Sequence, residues 1–257
     1  MCTCLLSFDP ASAVPVLLVG VRDEYADRLW DPPAAHWPDR PDLLGGRDRQ
    51  AGGTWLAVNP TLPRAGCVLN GCGADAPAEG RLSRGDLPLR AAGDGELGGL
   101  DLPRLDPFHL VCAEPDRVRV WTWTGLELTE RSLEPGVHVV VNTGLDASCP
   151  GPTAIPQHAL DGIRARLGHF GPRLRAAERP EPKDGDTAAA WGSWLPLAEG
   201  DGLDQDDPRA LLHRHLTDTG RVFATTSVSL VALGPAGVRY DFSGRPGDPA
   251  AWTTVLG

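Results

Sequence analysis

The 257-residue chain contains no apolar run approaching the ~20 residues that a membrane-crossing helix requires. It contains no C-x-x-C pair, the usual seed of a structural zinc site, so such a site is not expected. It also lacks a basic excess: 24 lysines and arginines face 34 aspartates and glutamates, the net charge is −10, and Lys183 is the lone lysine. Without a basic footprint, nonspecific binding to nucleic acid or to an anionic membrane is not expected. No basic segment precedes the first apolar stretch, which Asp9 interrupts, so no signal peptide is read and a cytoplasmic location is expected. In that compartment the six cysteines (Cys2, Cys4, Cys67, Cys72, Cys112 and Cys149) are expected to be free thiols.

What is present suits a single globular domain over residues 1–257. Hydrophobic residues make up 41% of the chain, enough to bury a full core without staples. Residues 2–8 and 15–21 read as buried strands of a hairpin that turns near 10–13. Residues 25–50, rich in Pro, Asp and Arg, read as a long surface loop. Further strands are predicted at 52–58, 65–69, 108–113, 117–124 and 137–141. In the stretch 117–124, Val118, Val120 and Thr122 face one side and Arg119, Trp121 and Trp123 the other. Trp121 and Trp123 read either as pocket walls or as packing. A short helix is predicted at 83–92, against which Pro88 counts, followed by a Gly-rich loop.

Ala159, Leu160, Ile163 and Leu167 form an apolar helical stripe. Residues 209–216 read as a second helix, with Pro208 in its first turn, and on that helix His213 and His215 point apart and make a poor metal pair. Residues 178–188 form a charged linker. Residues 227–233 and 238–242 form a closing hairpin. Many strands, then helices, then a hairpin predict an α+β fold of two stacked, mainly antiparallel sheets covered by helices.

The sharpest chemical feature is Cys2. Its small side chain permits removal of Met1, which leaves a thiol and a free α-amine on one residue. That amine has a pKa of roughly 7.7–8.0, so Cys2 supplies both nucleophile and general base. The competing reading is a buried strand cysteine. Cys4 shares the face of Cys2 and reads as a core thiol or as half of a Cys-x-Cys site for a soft metal or haem iron. Arg22-Asp23-Glu24 closes the second apolar run. There an Arg recognises a carboxylate and an Asp holds an ammonium, while a solvated, ion-paired turn fits the spacing equally well.

Several segments occur in a family order: Met1-Cys2, Val21-Arg22-Asp23-Glu24, Gly52-Gly53-Thr54-Trp55-Leu56-Ala57, Leu69-Asn70, Ser83-Arg84-Gly85-Asp86-Leu87, and Pro135-Gly136 through Asn142. In these the chain resembles the NRDE family, whose animal members are called transport and Golgi organization protein homologues. The resemblance implies an αββα sandwich of the N-terminal-nucleophile (Ntn) hydrolase type. It implies Cys2 as nucleophile, Arg22 and Asp23 flanking and tuning it, Asn70 as oxyanion donor, and Asn142 as a guide for the α-amine or the substrate. Glu24, Trp55, Arg84 and Arg221 are the candidate substrate contacts. The implied activity is that of an amidohydrolase or acyl-transferase acting on a non-peptide C–N bond of a small molecule, with no cofactor. The alternative is a haem-binding or haem-trafficking protein on the same fold. Two positions depart from the family pattern: Val21 replaces the signature asparagine, and Phe223-Ala224-Thr225-Thr226-Ser227 replaces a Thr-Arg-Thr-Asn-Thr segment near the C-terminus.

Overall fold

The computed structural model describes residues 2–148 and 155–257, so Met1 and Cys149 lie outside the described residues. The chain opens with the hairpin of β1 (Thr3–Phe8) and β2 (Val16–Tyr25). Then come β3 (Trp30–Ala34), β4 (Leu44–Asp48), β5 (Leu56–Asn59), β6 (Arg64–Asn70) and helix α1 (Leu87–Asp94). Strands β7 (Phe108–Glu114), β8 (Arg117–Trp123), β9 (Leu128–Ser132), β10 (Gly136–Val141) and β11 (Gly144–Leu145) follow. Helices α2 (Gln157–Ala176), α3 (Thr187–Trp191) and α4 (Trp194–Ala198) precede β12 (Arg214–Leu216), β13 (Val222–Gly234), β14 (Gly237–Ser243) and β15 (Trp252–Leu256).

Among the described residues the strands pair into two antiparallel sheets. One runs β11-β10-β1-β2-β13-β14-β15, with β12 added to β13, and the other runs β3 through β9 in chain order. Alternation along each strand builds the layers. Leu5, Val19, Val21 and Leu230 meet Ile163, Phe170, Trp191 and Trp194 of α2–α4 on one face of the first sheet. Cys4, Leu6, Val16 and Leu18, on its other face, meet Leu56, Val58, Val111, Val118 and Val120 of the second sheet. Leu87 and Ala91 of α1 cover Phe108, Leu110, Trp121 and Trp123 on the far face of that sheet. The order is helices, sheet, sheet, helix: the αββα sandwich. Strands covered on both faces carry continuous apolar runs, which is why β1 and β2 stand out in the sequence.

Several expectations are corrected. The stretch 25–50 is not one loop, because it contains β3 and β4. Its prolines Pro32 and Pro33 fall on an edge strand, where a missing N–H breaks no interior ladder. Asp31 anchors that edge, accepting from Arg47 at 2.7 Å and from Arg49 Nε at 2.6 Å. Residues 209–216 are not a helix. Pairing with β13 turns their end into β12, and Thr225 N–H donates to the His213 carbonyl at 2.9 Å. Strands β9 and β15 and helices α3 and α4 were not anticipated. Pro88 sits in the first turn of α1, where its missing N–H costs nothing. Cys72 is disulfide-bonded, while Cys2, Cys4, Cys67 and Cys112 are free. Disulfide formation follows proximity in space, which sequence spacing does not reveal. No helix among the described residues is long and apolar enough to cross a membrane.

Helix α3 is fastened to the first sheet by one buried carboxylate. Asp241 accepts from Trp191 Nε1 at 2.8 Å, Thr187 Oγ1 at 3.0 Å, Thr254 Oγ1 at 2.8 Å and Arg239 Nε at 2.6 Å. Removing it strands a buried guanidinium and three donors. Asp241→Ala is expected to lower the unfolding free energy by about 3–5 kcal/mol, read from urea denaturation against the parent protein.

Candidate active site

The site forms at one end of β1 and β2. In the register Thr3 lies across from Val21 on β2 and from Val141 on β10, which puts Cys2 between Arg22 and Asn142 at the next positions. Cys2 is half-buried and on the same strand face as Cys4, so its thiol belongs to the space between the sheets. Its Sγ lies 3.7 Å from the Asp23 carbonyl.

The next two residues of β2 point opposite ways. Arg22 turns between the sheets, where its guanidinium stacks 4.4 Å above the Trp55 ring. Its Nη1 donates to Thr226 Oγ1 at 2.8 Å, and its Nη2 lies 3.6 Å from Asp48 and 3.9 Å from Glu24. Asp23 turns under the helices. Its Oδ1 accepts from Thr225 Oγ1 at 2.7 Å; His213 Nε2 lies 2.9 Å and Arg166 Nη1 3.9 Å from Oδ2. The β2–β13 register slips between Thr225 and Ser227, so Thr226 is an extra, bulged residue. Thr225 meets Asp23 and Thr226 meets Arg22, one on each side of the sheet.

Burial alone would oppose ionisation of Asp23. The amino terminus of the chain, His213 and Arg166 together outweigh it and hold the carboxyl well below its ordinary range. For Cys2 burial dominates and pushes the thiol up. The negative charge of Asp23 adds to this, while the amino terminus, the Asp23 carbonyl contact and Arg22 oppose it. The resting sulfur is therefore a protonated thiol.

A cavity of about 540 Å³ opens beside Cys2. Arg22, Asp23, Glu24, Trp55, Asn70 and Arg84 line it, so seven of the nine residues singled out from the sequence, Cys2 included, meet in one place. Asn142 and Arg221 do not line it. Asn142 shares a second cavity, of about 840 Å³, with Asn70, Arg166 and His213. Its Nδ2 donates to the Asn70 carbonyl at 2.8 Å, and its buried Oδ1 has no partner among the described residues. Arg221 lies away from the thiol: it grips Asp27 at 2.6 Å and stacks 3.6 Å over Tyr25. It lies just before β13, whose first residues pair with Tyr25 and Glu24 rather than with the strand end beside Cys2.

The sequence reading missed Arg28, Asp48, Arg166, His213 and Thr225. Arg166 had a signal: it continues the buried stripe of Ile163, Phe170 and Leu174, and a charge at such a position needs a buried partner. His213 was hidden by the mistaken helix. In the extended backbone that leads into β12, the rings of His213 and His215 stack 5.5 Å apart. Among the described residues no group of three or more His, Cys, Asp or Glu side chains could hold a metal ion.

Two glycine-containing motifs meet at the cavity. A Cβ on Gly53 would fall 2.4 Å from the Gly85 carbonyl group, and Thr54 N–H donates to that oxygen at 2.8 Å. This contact sets Trp55 and Arg84 on the same wall. The Transport and Golgi organisation 2 family model matches residues 1–158, the span that supplies Cys2, Arg22, Asp23, Trp55 and Arg84.

The chain belongs to the Transport and Golgi organisation 2 family. No curated protein matches it. Among solved structures it is similar to the C2A mutant of conjugated bile acid hydrolase from Clostridium perfringens, with 12% identity, a TM-score of 0.47, and coverage of 99% of this chain and 92% of that one. A likeness at that level carries no argument about activity. Within the family span, Val21 replaces the signature asparagine and is buried against the helices, so an apolar contact stands where the pattern has an amide. Three partners of Asp23, namely Arg166, His213 and Thr225, come from beyond residue 158.

Two predictions follow from this geometry. Gly53→Ala forces the two backbone segments apart and is expected to cost about 1–3 kcal/mol in urea unfolding; an unchanged midpoint counts against the contact. The second concerns His109, fully buried on β7. Its Nε2 donates to the Asn142 carbonyl at 3.3 Å, which leaves Nδ1 to accept from Thr122 Oγ1 at 3.0 Å. Burial, opposed in part by the Asn142 contact, pushes its pKa down to about 4. Below a pH of about 6.5 the unfolded chain binds a proton that the folded chain refuses, so stability falls as pH falls from there through the folded value. Between a pH of about 7 and about 5, the parent is expected to lose about 2 kcal/mol more than His109→Gln, measured by urea unfolding at each pH. Parallel pH profiles would remove His109 from the account.

Proposed function

We propose that this protein is a thiol amidohydrolase of the N-terminal-nucleophile type, acting on a non-peptide C–N bond of a small molecule. The supporting observation is the placement of the Cys2 thiol at a strand end, on the wall of a cavity of about 540 Å³, with Arg22 across from it on β2 and the carboxylate of Asp23 behind. The sulfur rests protonated, so the reaction needs a base beside it. Removal of Met1 supplies that base as the α-amine of Cys2.

In this reading the amine takes the thiol proton as Sγ adds to the amide carbonyl carbon. The side chain of Asn70, exposed on the cavity wall, donates to the oxyanion that forms. Collapse breaks the C–N bond, and the departing amine takes the proton from the α-ammonium. Water then adds to the thioester, releasing a carboxylic acid and restoring the thiol. The sum is amide plus water giving acid plus amine; an acyl-transferase would use a second amine or alcohol in place of water. Arg22, held by Thr226 and Trp55, supplies fixed positive charge near the sulfur. The unpartnered Oδ1 of Asn142, next in register to Cys2, suits a role in holding the α-amine.

Intact mass before and after treatment with an electrophilic ester probe tests this reading. The expected result is a mature chain starting at Cys2 that gains one acyl group, with no gain in Cys2→Ala. Retention of Met1, or a thiol that stays unmodified, defeats the proposal. A protein that resists acylation but gives a saturating Soret band on haem titration is instead the haem carrier of the alternative reading.

A further inference from the structure

We infer that Arg84 and Trp55 form a carboxylate-binding subsite beside Cys2, so that the substrate is an amide bearing a carboxylate. The word amide rests on the proposed role of Cys2; the subsite does not. Four arginines line the cavity. Arg22 has Asp48 at 3.6 Å and Glu24 at 3.9 Å, Arg28 has Asp48 at 2.6 Å, and Arg81 has Asp106 at 3.2 Å. Arg84 differs from these three. Among the described residues it has no carboxylate within ion-pair range, and its only hydrogen bond runs from Nη1 to the Pro107 carbonyl at 2.7 Å. The rest of its donor fork is unmatched.

Trp55 provides a second, independent observation. It lines the same cavity, and its buried Nε1–H has no acceptor among the described residues. Buried donors are ordinarily matched. The open donors of Arg84, half-buried on this wall, suit an acceptor from outside the chain, with the sealed Trp55 N–H beside them. A planar group with two oxygens and one negative charge fits a guanidinium fork. A dianion fits less well, because Glu24, Asp48 and Asp106 line the same space.

Burial pulls the Arg84 guanidinium below its ordinary pKa, and Asp106 offsets this only in part, so the site gains from a further anion. Arg84 and Cys2 line the same cavity, which places the subsite near the thiol. The Gly53–Gly85 approach explains why the two donors lie together: each follows or precedes one of those glycines on a backbone held at 2.8 Å.

Binding to the unreactive Cys2→Ala protein tests the subsite apart from catalysis. The probes are N-acetylglycine and its neutral primary amide, titrated calorimetrically. The acid is expected to bind roughly tenfold tighter than the amide or better. Arg84→Gln in the same background is expected to abolish that preference, and Arg84→Lys to keep part of it. Trp55→Phe retains a ring for Arg22 but loses the N–H, and is expected to reduce the preference roughly threefold. If Arg84→Gln fails to fold, the other two variants decide. Equal binding of the two probes, no binding of either, or a preference that survives loss of both donors overturns the inference. Every protein in this series lacks the thiol, so a failed subsite leaves the acylation test standing, and a failed acylation leaves the subsite standing.

Discussion

The site depends on a carboxylate that water does not reach. The Asp23 side chain is fully buried, and a charge in that position persists only if the fold brings partners to it. Three come from distant parts of the chain: Thr225 from β13, His213 from the segment before β12, and Arg166 from the middle of α2. Arg166 also donates to the Ala210 carbonyl at 2.8 Å and to Thr3 Oγ1 at 3.1 Å. One guanidinium thus ties the helix layer to the first strand and to the 210–213 segment. Buried ion pairs of this kind add little net stability once desolvation is counted. Their effect here is positional: they set where the end of β1 lies relative to the helices.

Around that carboxylate, strand geometry divides the labour. Successive side chains of β2 face opposite ways, so Arg22 and Asp23 serve different layers although they are adjacent in sequence. Arg22 joins the sheets through Trp55, and Asp23 joins the first sheet to α2. On β13 the adjacent Thr225 and Thr226 serve the same two layers, Thr225 at Asp23 and Thr226 at Arg22.

The second sheet contributes a wall rather than a reactive group. Gly53 and Gly85 permit two backbones to touch, and that contact fixes Trp55 and Arg84 beside the thiol. The result is a cavity with a nucleophile at one side, paired charges around it, and two donors left without acceptors. A binding site for a polar small molecule is the simplest physical use of such a wall.

Much of this was legible in the chain itself. The continuous apolar runs of β1 and β2, the alternation of β8 and the stripe of α2 each determine their own burial, because period and composition are local properties. The motif residues Cys2, Arg22, Asp23, Trp55, Asn70 and Arg84 were identifiable because they sit in short, distinctive segments. The tertiary structure alone decided the rest. It led the segment containing His213 into β12, because pairing with β13 outweighed a helical pattern. It placed two prolines on an edge where they do no harm, and it joined Cys72 in a disulfide. It also carried Arg221 away from the site and brought Arg166 into it. Each of these depends on which distant backbone comes alongside, and a linear pattern carries no record of that.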